Sequence, residues 1–340
     1  MEQGVSEGRR GAVEFPVLRG QRSGGAEIFQ TTLRNRIGCA GIGLHSGQQV
    51  RFTVYPAEAG SGITFRRMDL RGTDGLDDAD ICVQARYDNI SSTQLGSTLS
   101  NASGVTVATV EHLMSAFSGC GIDNARVDLD GPELPVLDGS AAPFVVLLEC
   151  AGIARLSERR RYIRILETIS VEEDGKRASL SPHDGCALNF EIDFPGTVIG
   201  RQFYSFDAIP GAFKTHIAPS RTFGFLHEVD HLKSLGLARG GTLQNAIVLD
   251  GDKILNDGGL RFPDEFVRHK ILDAIGDLYL AGVPIMGRFE GVRAGHGLNN
   301  KLLQALFSSP QAWEYCEGPM GAPRRAPEMA LPKVRRAARG

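Results

Sequence analysis

The order of predicted secondary-structure elements repeats along this chain, and the repeat limits the fold more than any single motif does. A helix that begins near His112 and ends near Gly119 is followed by a strand and by a second helix at residues 140–151. The same order returns after His269. The returning elements are a helix to about Ala281, a strand around 288–292 and a helix at about 298–307. The repeat predicts two structural units of related architecture that face each other.

Strand-like runs lie among these helices. Four runs have the β-branched and aromatic content that favours strands: residues 50–55, 125–129, 162–165 and 246–249. Helices and strands mixed in this way predict an α+β fold. The chain has 340 residues, 42% of them hydrophobic, which is long enough for two cores, so we expect two domains.

The chain ends and one charged segment set the predicted domain boundaries. Residues 1–26 and 318–340 are rich in glycine or basic residues and have no hydrophobic periodicity. We therefore predict a disordered N-terminal extension and a disordered basic tail. The charge run at 155–160 is the best candidate linker. These features place the first α+β domain at 27–156 and the second at 157–317.

Composition excludes several classes of function. The formal net charge of -3 and the pI near 6.3 give no basic field that neutralises phosphates, so nucleic-acid binding is not expected. The first residues lack an apolar core, and the longest apolar stretch, 141–154, is interrupted by Glu149. We expect neither an export signal nor an integral membrane segment. The basic tail can touch anionic lipid headgroups weakly, or it is a solvated extension.

The six cysteines are scattered along the chain without a CxxC pair. This spacing argues against a disulfide framework and against a zinc cage built from thiolates. We expect a soluble monomer in the reducing cytoplasm.

His227, Glu228 and His231 satisfy an HExxH motif, which on a helix places two imidazoles one turn apart beside a carboxylate. A zinc metalloprotease is one hypothesis. However, Asp230 lies inside the motif, and Val229 with the surrounding leucines is typical of an amphipathic helix whose polar face is in solvent. An ordinary surface helix is the alternative.

A second arrangement lies in a predicted helix at 263–277. His269, Asp273 and Asp277 are spaced at i, i+4 and i+8, so their side chains project from nearly one face of that helix. An imidazole and a carboxylate one turn apart can share a divalent ion. A surface face of salt bridges that includes Lys270 fits the spacing equally well.

A catalytic zinc needs a third protein ligand and an open position for water. His112 can supply the ligand, and the adjacent Glu111 can take a proton from that water. The alternative for this pair is a helix start with an acidic first turn and a partly buried histidine. His296 lies between two glycines ahead of a helix. It can donate a proton to a leaving amine there, or it is a loop histidine without a role.

Taken together, these segments resemble the UDP-3-O-acyl-N-acetylglucosamine deacetylases, the zinc enzymes that remove an acetyl group in lipid A synthesis. The resemblance runs from about Thr31 to Tyr315. The matching stretches are GIGLHSG at 41–47, TVEHL at 109–113, LDGSAAPF at 137–144, SRTFGF at 220–225, residues 262–277, and residues 295–296 with 298–300. The resemblance implies two related α+β domains, each with a small insert. It also implies helices sandwiched between β-sheets and an active site in the cleft between the domains.

The resemblance implies roles for individual residues. His112, His269 and Asp273 are the implied ligands of Zn²⁺, and the same donors also suit Fe²⁺. Glu111 is the implied general base that deprotonates the attacking water. His296 is the implied general acid, or the group that stabilises charge at the leaving amine.

Further implied residues support the reaction. Asp277 would orient and charge His296, and the Thr222 hydroxyl would help to hold the oxyanion of the acetamide. The implied substrate is UDP-3-O-acyl-N-acetylglucosamine, and the implied products are acetate and UDP-3-O-acyl-glucosamine.

The same resemblance assigns substrate contacts. Lys270 would point at sugar or diphosphate oxygens, with His45 a weaker candidate for the same region. Phe194 and Phe223 are candidates for stacking on the nucleotide or the sugar. An insert at 223–242 would form an apolar passage for the 3-O-acyl chain.

Two features depart from the family pattern. Gly297 follows His296 where a slightly larger residue is usual, and the charged ends extend beyond the usual limits. A third hypothesis is a non-catalytic sugar-nucleotide binding module whose metal is only structural. This hypothesis predicts no reaction product.

Overall fold

The computed structural model describes residues 28–317. The predicted extension at 1–26 and the predicted tail at 318–340 fall outside the described residues. The α-helices are α1 (Glu111–Cys120), α2 (Ala142–Ala151), α3 (Leu226–Ser234), α4 (Glu265–Tyr279) and α5 (His296–Phe307). Short 3-10 helices cover Met68–Leu70, Tyr87–Asn89 and Pro310–Ala312, and a π-helix covers Phe213–Ile217.

The strands follow one another in chain order. They are β1 (Phe29–Leu33), β2 (Ile37–Ile42), β3 (Gln49–Pro56), β4 (Ile63–Arg67), β5 (Cys82–Gln84), β6 (Ile90–Ser92), β7 (Thr98–Ser100), β8 (Thr106–Val107), β9 (Ala125–Leu129), β10 (Ile153–Arg159), β11 (Arg161–Ile165), β12 (Ile169–Glu173), β13 (Lys176–Ser181), β14 (Cys186–Phe194), β15 (Gly200–Asp207), β16 (Phe223–Phe225), β17 (Ile247–Asp250), β18 (Lys253–Ile254), β19 (Ile285–Val292) and β20 (Trp313–Glu317). The mixture confirms the predicted α+β class.

The N-terminal half is built on a five-stranded sheet in the order β2-β3-β9-β4-β5. Strand β9 pairs antiparallel with β3 and parallel with β4. Val50, Phe52 and Val54 alternate along β3 and are buried, so one face of this sheet is apolar and the other is not. The apolar face packs on the core that includes helices α1 and α2.

The C-terminal half is built on a seven-stranded sheet whose central strand is β19. This strand pairs parallel with β11 and β14 and antiparallel with β13. Helix α4 packs on β14 and β15, and helix α5 packs on β12 and β13. The helix-strand-helix order predicted twice from the sequence is therefore present in both halves, as α1-β9-α2 and as α4-β19-α5.

Helices α1 and α4 bring the two halves into contact. A Cβ atom built on Gly276 would lie 2.1 Å from the carbonyl oxygen of Glu111. Every residue except glycine would therefore clash with the backbone of α1 at this position. Buried residues from both halves, such as Leu113 of α1 and Ile271 of α4, belong to one hydrophobic cluster. The helices consequently lie between the two large sheets, as the resemblance implied.

Each half also carries a small three-stranded sheet. Strands β6-β7-β8 precede α1, and strands β16-β17-β18 precede α4. The predicted insert at 223–242 covers β16 and α3, but its sheet includes β17 and β18. The sheet that contains β16 therefore continues to Ile254, and the limits of the insert stay a prediction.

The four predicted strands are confirmed in β3, β9, β11 and β17. The charge run at 155–160, predicted as a linker, lies mainly in strand β10, which pairs antiparallel with β1. Because the backbone of this segment is hydrogen-bonded to β1, the segment is not a free linker. The domain boundary at 156 and 157 stays a prediction. Within residues 28–317, no helix is both long enough and apolar enough to cross a bilayer.

Replacing Gly276 by alanine tests the helix contact. We expect Gly276→Ala to lower the free energy of unfolding by about 1–3 kcal/mol, because the added methyl group meets backbone that cannot rotate away. Urea unfolding of this variant is compared with Gly258→Ala, since no atom lies within 4 Å of a Cβ built on Gly258. Equal stability of the two variants would contradict the close helix contact.

Candidate active site

The first turn of helix α1 carries the first two site residues. Thr109 has a left-handed φ of 57°, and its hydroxyl donates to Glu133 Oε1 at 3.1 Å. This hydrogen bond holds the chain in an unfavourable conformation immediately before the helix. Glu111 and His112 follow, and both are buried. Glu111 does lie in the first turn, but at 3% and 4% exposure both side chains are more enclosed than the alternative of a partly buried histidine predicted.

Helix α4 carries the second set. His269, Asp273 and Asp277 are all buried, although charged residues are rarely buried without a partner. The face of α4 that carries these three residues therefore points into the molecule. The alternative of a solvated salt-bridge face is wrong.

His112, His269 and Asp273 converge across the contact between α1 and α4. His269 Nε2 lies 3.3 Å from Asp273 Oδ1, and His112 Nε2 lies 3.7 Å from the same oxygen. One potential ligand atom from each residue lies within 4.8 Å of the others. Of the residues that the structure describes, these form the only group of three or more such donors that meets this spacing.

The protonation of His269 suits a metal ligand. Its Nδ1 lies 3.0 Å from the carbonyl oxygen of Ser220. A carbonyl only accepts, so Nδ1 carries the hydrogen and the lone pair of Nε2 faces the cluster. Burial lowers the pKa of His269 to about 4, which keeps the imidazole neutral. The donor set of two imidazoles and one carboxylate fits a divalent ion.

Asp273 is ionised in this cluster. Burial acts to raise its pKa, but the Lys270 ammonium and the imidazoles of His269 and His112 that face it hold the pKa well below the ordinary value. The Lys270 ammonium donates to Asp273 Oδ2 at 2.8 Å. Oδ1 faces the two imidazoles, while Oδ2 is neutralised by Lys270. One oxygen of the carboxylate can therefore bind a metal while the other forms the ion pair.

A second pair, His296 and Asp277, lies beside the donor cluster. His296 Nδ1 lies 2.8 Å from Asp277 Oδ2, and His296 Nε2 lies 3.9 Å from Asp273 Oδ2. Burial acts to lower the pKa of His296, but the charge and hydrogen bond of Asp277 raise it to about 9. His296 is therefore protonated at neutral pH, and its free nitrogen points toward the cluster.

These groups border a cavity of about 480 Å³. Thr222, Phe223, Phe194 and Lys270 line it together with His269, Asp273 and His296. The rings of Phe194 and Phe223 are edge to face, with centroids 5.8 Å apart. The structure thus brings most of the predicted site residues to one cleft.

His45 is placed differently from the other predicted substrate residues. It does not line this cavity among the described residues. Its backbone N–H donates to Glu133 Oε1 at 2.8 Å, and its Nδ1 accepts from Ala238 N at 3.4 Å. The Nε2 atom is buried and has no hydrogen-bond partner in the described residues. His45 therefore joins the N-terminal half to the segment that follows α3.

Several residues at the site were not predicted from the sequence. Lys176 and Arg293 add two cations to the cavity wall. Ser97 hydrogen bonds to both Glu111 and Asp277, and Ser220 supplies the carbonyl that fixes His269. Arg293 and Ser220 had a detectable signal, since Arg293 lies three residues before His296 and Ser220 opens the stretch SRTFGF. Lys176 and Ser97 had none.

The HExxH motif lies away from this cleft. His227, Glu228 and His231 occupy α3, a helix without a buried residue, and all three are exposed. Neither histidine belongs to the metal-competent group found in residues 28–317. The amphipathic-helix interpretation is confirmed, and the metalloprotease hypothesis is not favoured.

A buried donor cluster with an adjacent carboxylate and a protonated histidine is the arrangement of a metal-dependent hydrolase. Comparison with known proteins identifies the family within the metal-dependent hydrolases to which the chain belongs. The family model of UDP-3-O-acyl N-acetylglycosamine deacetylase matches residues 30–308. The chain belongs to this family, which confirms the resemblance and the assignment as a deacetylase that acts on an amide bond.

Curated relatives agree with the family. A protein of Phenylobacterium zucineum is 50% identical over 286 residues, which cover 84% of this chain and 96% of the relative. A protein of Chromobacterium violaceum is 45% identical over 300 residues, covering 87% and 96%. Both are named UDP-3-O-acyl-N-acetylglucosamine deacetylase. The similarity therefore extends over almost the whole length of each relative.

Removing the donors tests the metal site. We expect His112→Ala, His269→Ala and Asp273→Ala each to lose tightly bound metal, because two remaining donors do not complete a stable coordination shell. Metal content is measured by elemental analysis after gel filtration. The control is the double variant His227→Ala, His231→Ala, which should keep the metal content of the unmodified protein. Loss of metal in the control alone would reverse the assignment.

Proposed function

We propose that this chain hydrolyses the acetamide of UDP-3-O-acyl-N-acetylglucosamine to UDP-3-O-acyl-glucosamine and acetate, a reaction of lipid A biosynthesis. Membership of the deacetylase family supports the identity of this substrate. The observation that carries the chemistry is the cleft itself, where three buried metal donors lie beside an ionisable base and a protonated histidine. Hydrolysis of an amide needs both a proton acceptor and a proton donor at the reacting atoms.

We propose that the ion held by His112, His269 and Asp273 is Zn²⁺, with Fe²⁺ as the alternative that the same donors accept. Such an ion, when bound, lowers the pKa of water and polarises the amide carbonyl. The buried, neutral imidazole of His269 and the ionised Asp273 support this assignment, since ligands bind in their unprotonated forms.

Glu111 acts as the general base in this proposal. Its Oε2 accepts the backbone N–H of Ser97 at 2.9 Å, and it adjoins the donor His112 in the chain. A carboxylate next to a metal ligand can take the proton of the attacking water. The hydrogen bond to Oε2 fixes the carboxylate, so Oε1 remains available for the proton.

His296 acts as the general acid. Its Nδ1–H is engaged by Asp277, so Nε2–H is the proton that can pass to the leaving amine. In this proposal the Thr222 hydroxyl stabilises the oxyanion, since Thr222 lines the cavity. The backbone of Thr222 is held at both ends, because its N–H donates to Gly139 and its carbonyl accepts from Ile247, each at 2.8 Å.

The cations of the cleft suit the diphosphate of the substrate. Lys176 and Arg293 line the cavity beside Lys270, and guanidinium and ammonium groups are the common partners of phosphate oxygens. Phe194 and Phe223 offer aromatic faces and edges to the nucleotide or the sugar. His45 stays the weaker candidate for this region, because it does not line the cavity and its Nε2 atom is buried.

The segment 223–242 supplies the passage for the acyl chain. Helix α3 has no buried residue, and Leu226 and Leu235 are 43% and 55% exposed. An apolar chain that lies against these residues removes them from water. The far end of the segment is fixed, because the N–H groups of Arg239 and Gly240 donate to the carbonyls of His45 and Leu44.

We propose that the protein works in the cytoplasm. All six cysteines are free thiols, which supports a reducing compartment. The expectation of a monomer stays a prediction. The proposed weak membrane contact through the basic tail concerns residues outside the described range.

Acetate release from UDP-3-O-acyl-N-acetylglucosamine tests the function. We expect Glu111→Ala to retain its metal and to lose about 10²- to 10⁴-fold in kcat, the usual contribution of a general base. The matched control is Glu228→Ala, which removes the glutamate of the HExxH motif and should leave kcat unchanged. A protein that holds metal, binds the sugar nucleotide and releases no acetate would instead be a binding module.

The pH dependence of kcat tests the roles of His296 and Asp277. The general acid works when protonated, so activity should fall as pH rises through the pKa of His296. Asp277→Asn removes the charge that raises this pKa toward 9, so the alkaline limb should move to lower pH. Asp252→Asn, at an exposed position, is the control. An alkaline limb that does not move in Asp277→Asn would exclude the proposed pair.

A further inference from the structure

Ser97 lies between the carboxylate of Glu111, the proposed base, and the carboxylate of Asp277, the partner of the proposed acid His296. It is 2% exposed and belongs to the loop that joins β6 to β7. Its backbone N–H donates to Glu111 Oε2 at 2.9 Å, and its hydroxyl donates to Asp277 Oδ1 at 2.6 Å. Among residues 28–317, Ser97 is the only one whose hydrogen bonds reach both of these carboxylates.

The local backbone is shaped for this double contact. The preceding Gly96 approaches Glu111 so closely that a Cβ atom there would lie 2.9 Å from Glu111 Oε1. The carbonyl of Ser97 accepts from Val110 N at 3.2 Å, immediately before α1. Ser97 is therefore attached to the start of α1 by its backbone and to α4 by its side chain.

The hydroxyl of Ser97 completes the partners of Asp277. Oδ2 of this carboxylate faces His296 Nδ1 and the amide of Asn299, both at 2.8 Å. Oδ1 has Ser97 as its hydrogen-bond partner. A buried carboxylate with donors on both oxygens cannot rotate, and its charge is spread over both oxygens.

We propose that Ser97 is a positioning residue that fixes the base Glu111 and the pair Asp277–His296 relative to each other. This inference rests on the proposed function. The base lies on α1 in the N-terminal half, and the acid pair lies on α4 and α5 in the C-terminal half. Ser97 links these groups directly. If the two halves dock differently, the positions of both carboxylates therefore change together, because both are bonded to Ser97.

The variant Ser97→Ala separates the two contacts. It keeps the backbone N–H that holds Glu111 and removes the hydroxyl that holds Asp277. Loss of a group that orients a catalytic partner typically reduces activity about 10- to 100-fold. We expect a fall of this size in kcat, with KM changed less than about twofold and metal content unchanged. Ser97→Thr restores the hydroxyl and should recover most of kcat.

Ser115→Ala is the matched control. Ser115 is also a buried serine, on α1, but its hydroxyl has no hydrogen-bond partner in the described structure. Both variants lose a buried hydroxyl, and only Ser97→Ala loses a bond to Asp277. Equal kcat in the two variants would overturn the proposal. A rise in KM or a loss of metal in Ser97→Ala, with kcat preserved, would overturn it as well.

A spectroscopic measurement decides the question without turnover. The Nδ1–H proton of His296 is observed by NMR in the zinc-loaded protein and is identified by its absence in His296→Gln. Without the Ser97 hydroxyl, Asp277 accepts more strongly from His296, so this resonance should move downfield in Ser97→Ala and stay in place in Ser115→Ala. If the unmodified protein releases no acetate, the proposed function fails, while this comparison still tests the link. An unmoved resonance in Ser97→Ala rejects it.

Discussion

The close contact between α1 and α4 is the constraint on which the site depends. Because Gly276 has no side chain, the backbone of α4 reaches the carbonyl of Glu111, and the two helices bring His112 within 3.7 Å of Asp273. A wider contact would separate the imidazole of one half from the donors of the other. The two large sheets serve this geometry by enclosing both helices, which excludes water from the donors and lets short-range charges determine their protonation.

Two histidines of the cleft show how the partner decides the charge of a buried group. Burial favours the neutral form of both His269 and His296. The Nδ1 atom of His269 meets the uncharged Ser220 carbonyl, so burial prevails and lowers the pKa of His269 to about 4. The Nδ1 atom of His296 meets the Asp277 carboxylate, and its pKa rises to about 9. One imidazole is thereby suited to bind a cation, and the other is suited to give up a proton.

The sequence predicts those parts of the site that follow from local periodicity. The spacing of His269, Asp273 and Asp277 specifies one helix face, and the paired helix-strand-helix order specifies two similar halves. Ser97 could not be predicted, because its hydroxyl reaches a residue 180 positions away and nothing in its own loop signals that contact. The HExxH motif shows the converse: its local pattern is complete, but within residues 28–317 it belongs to no group of three metal-competent donors, and the helix has no buried residue. Only tertiary contacts distinguish such a motif from a real site.

The three proposed metal donors are divided between the halves, with one on α1 and two on α4. Neither helix alone offers more than the two-donor pair of His269 and Asp273, so complete coordination requires that both halves have folded and docked. Helical content, in contrast, reports hydrogen bonds within each helix and not the docking of the two halves. Metal occupancy of a preparation therefore counts the molecules that have reached the native arrangement of the two halves, which bulk measurements of secondary structure do not distinguish.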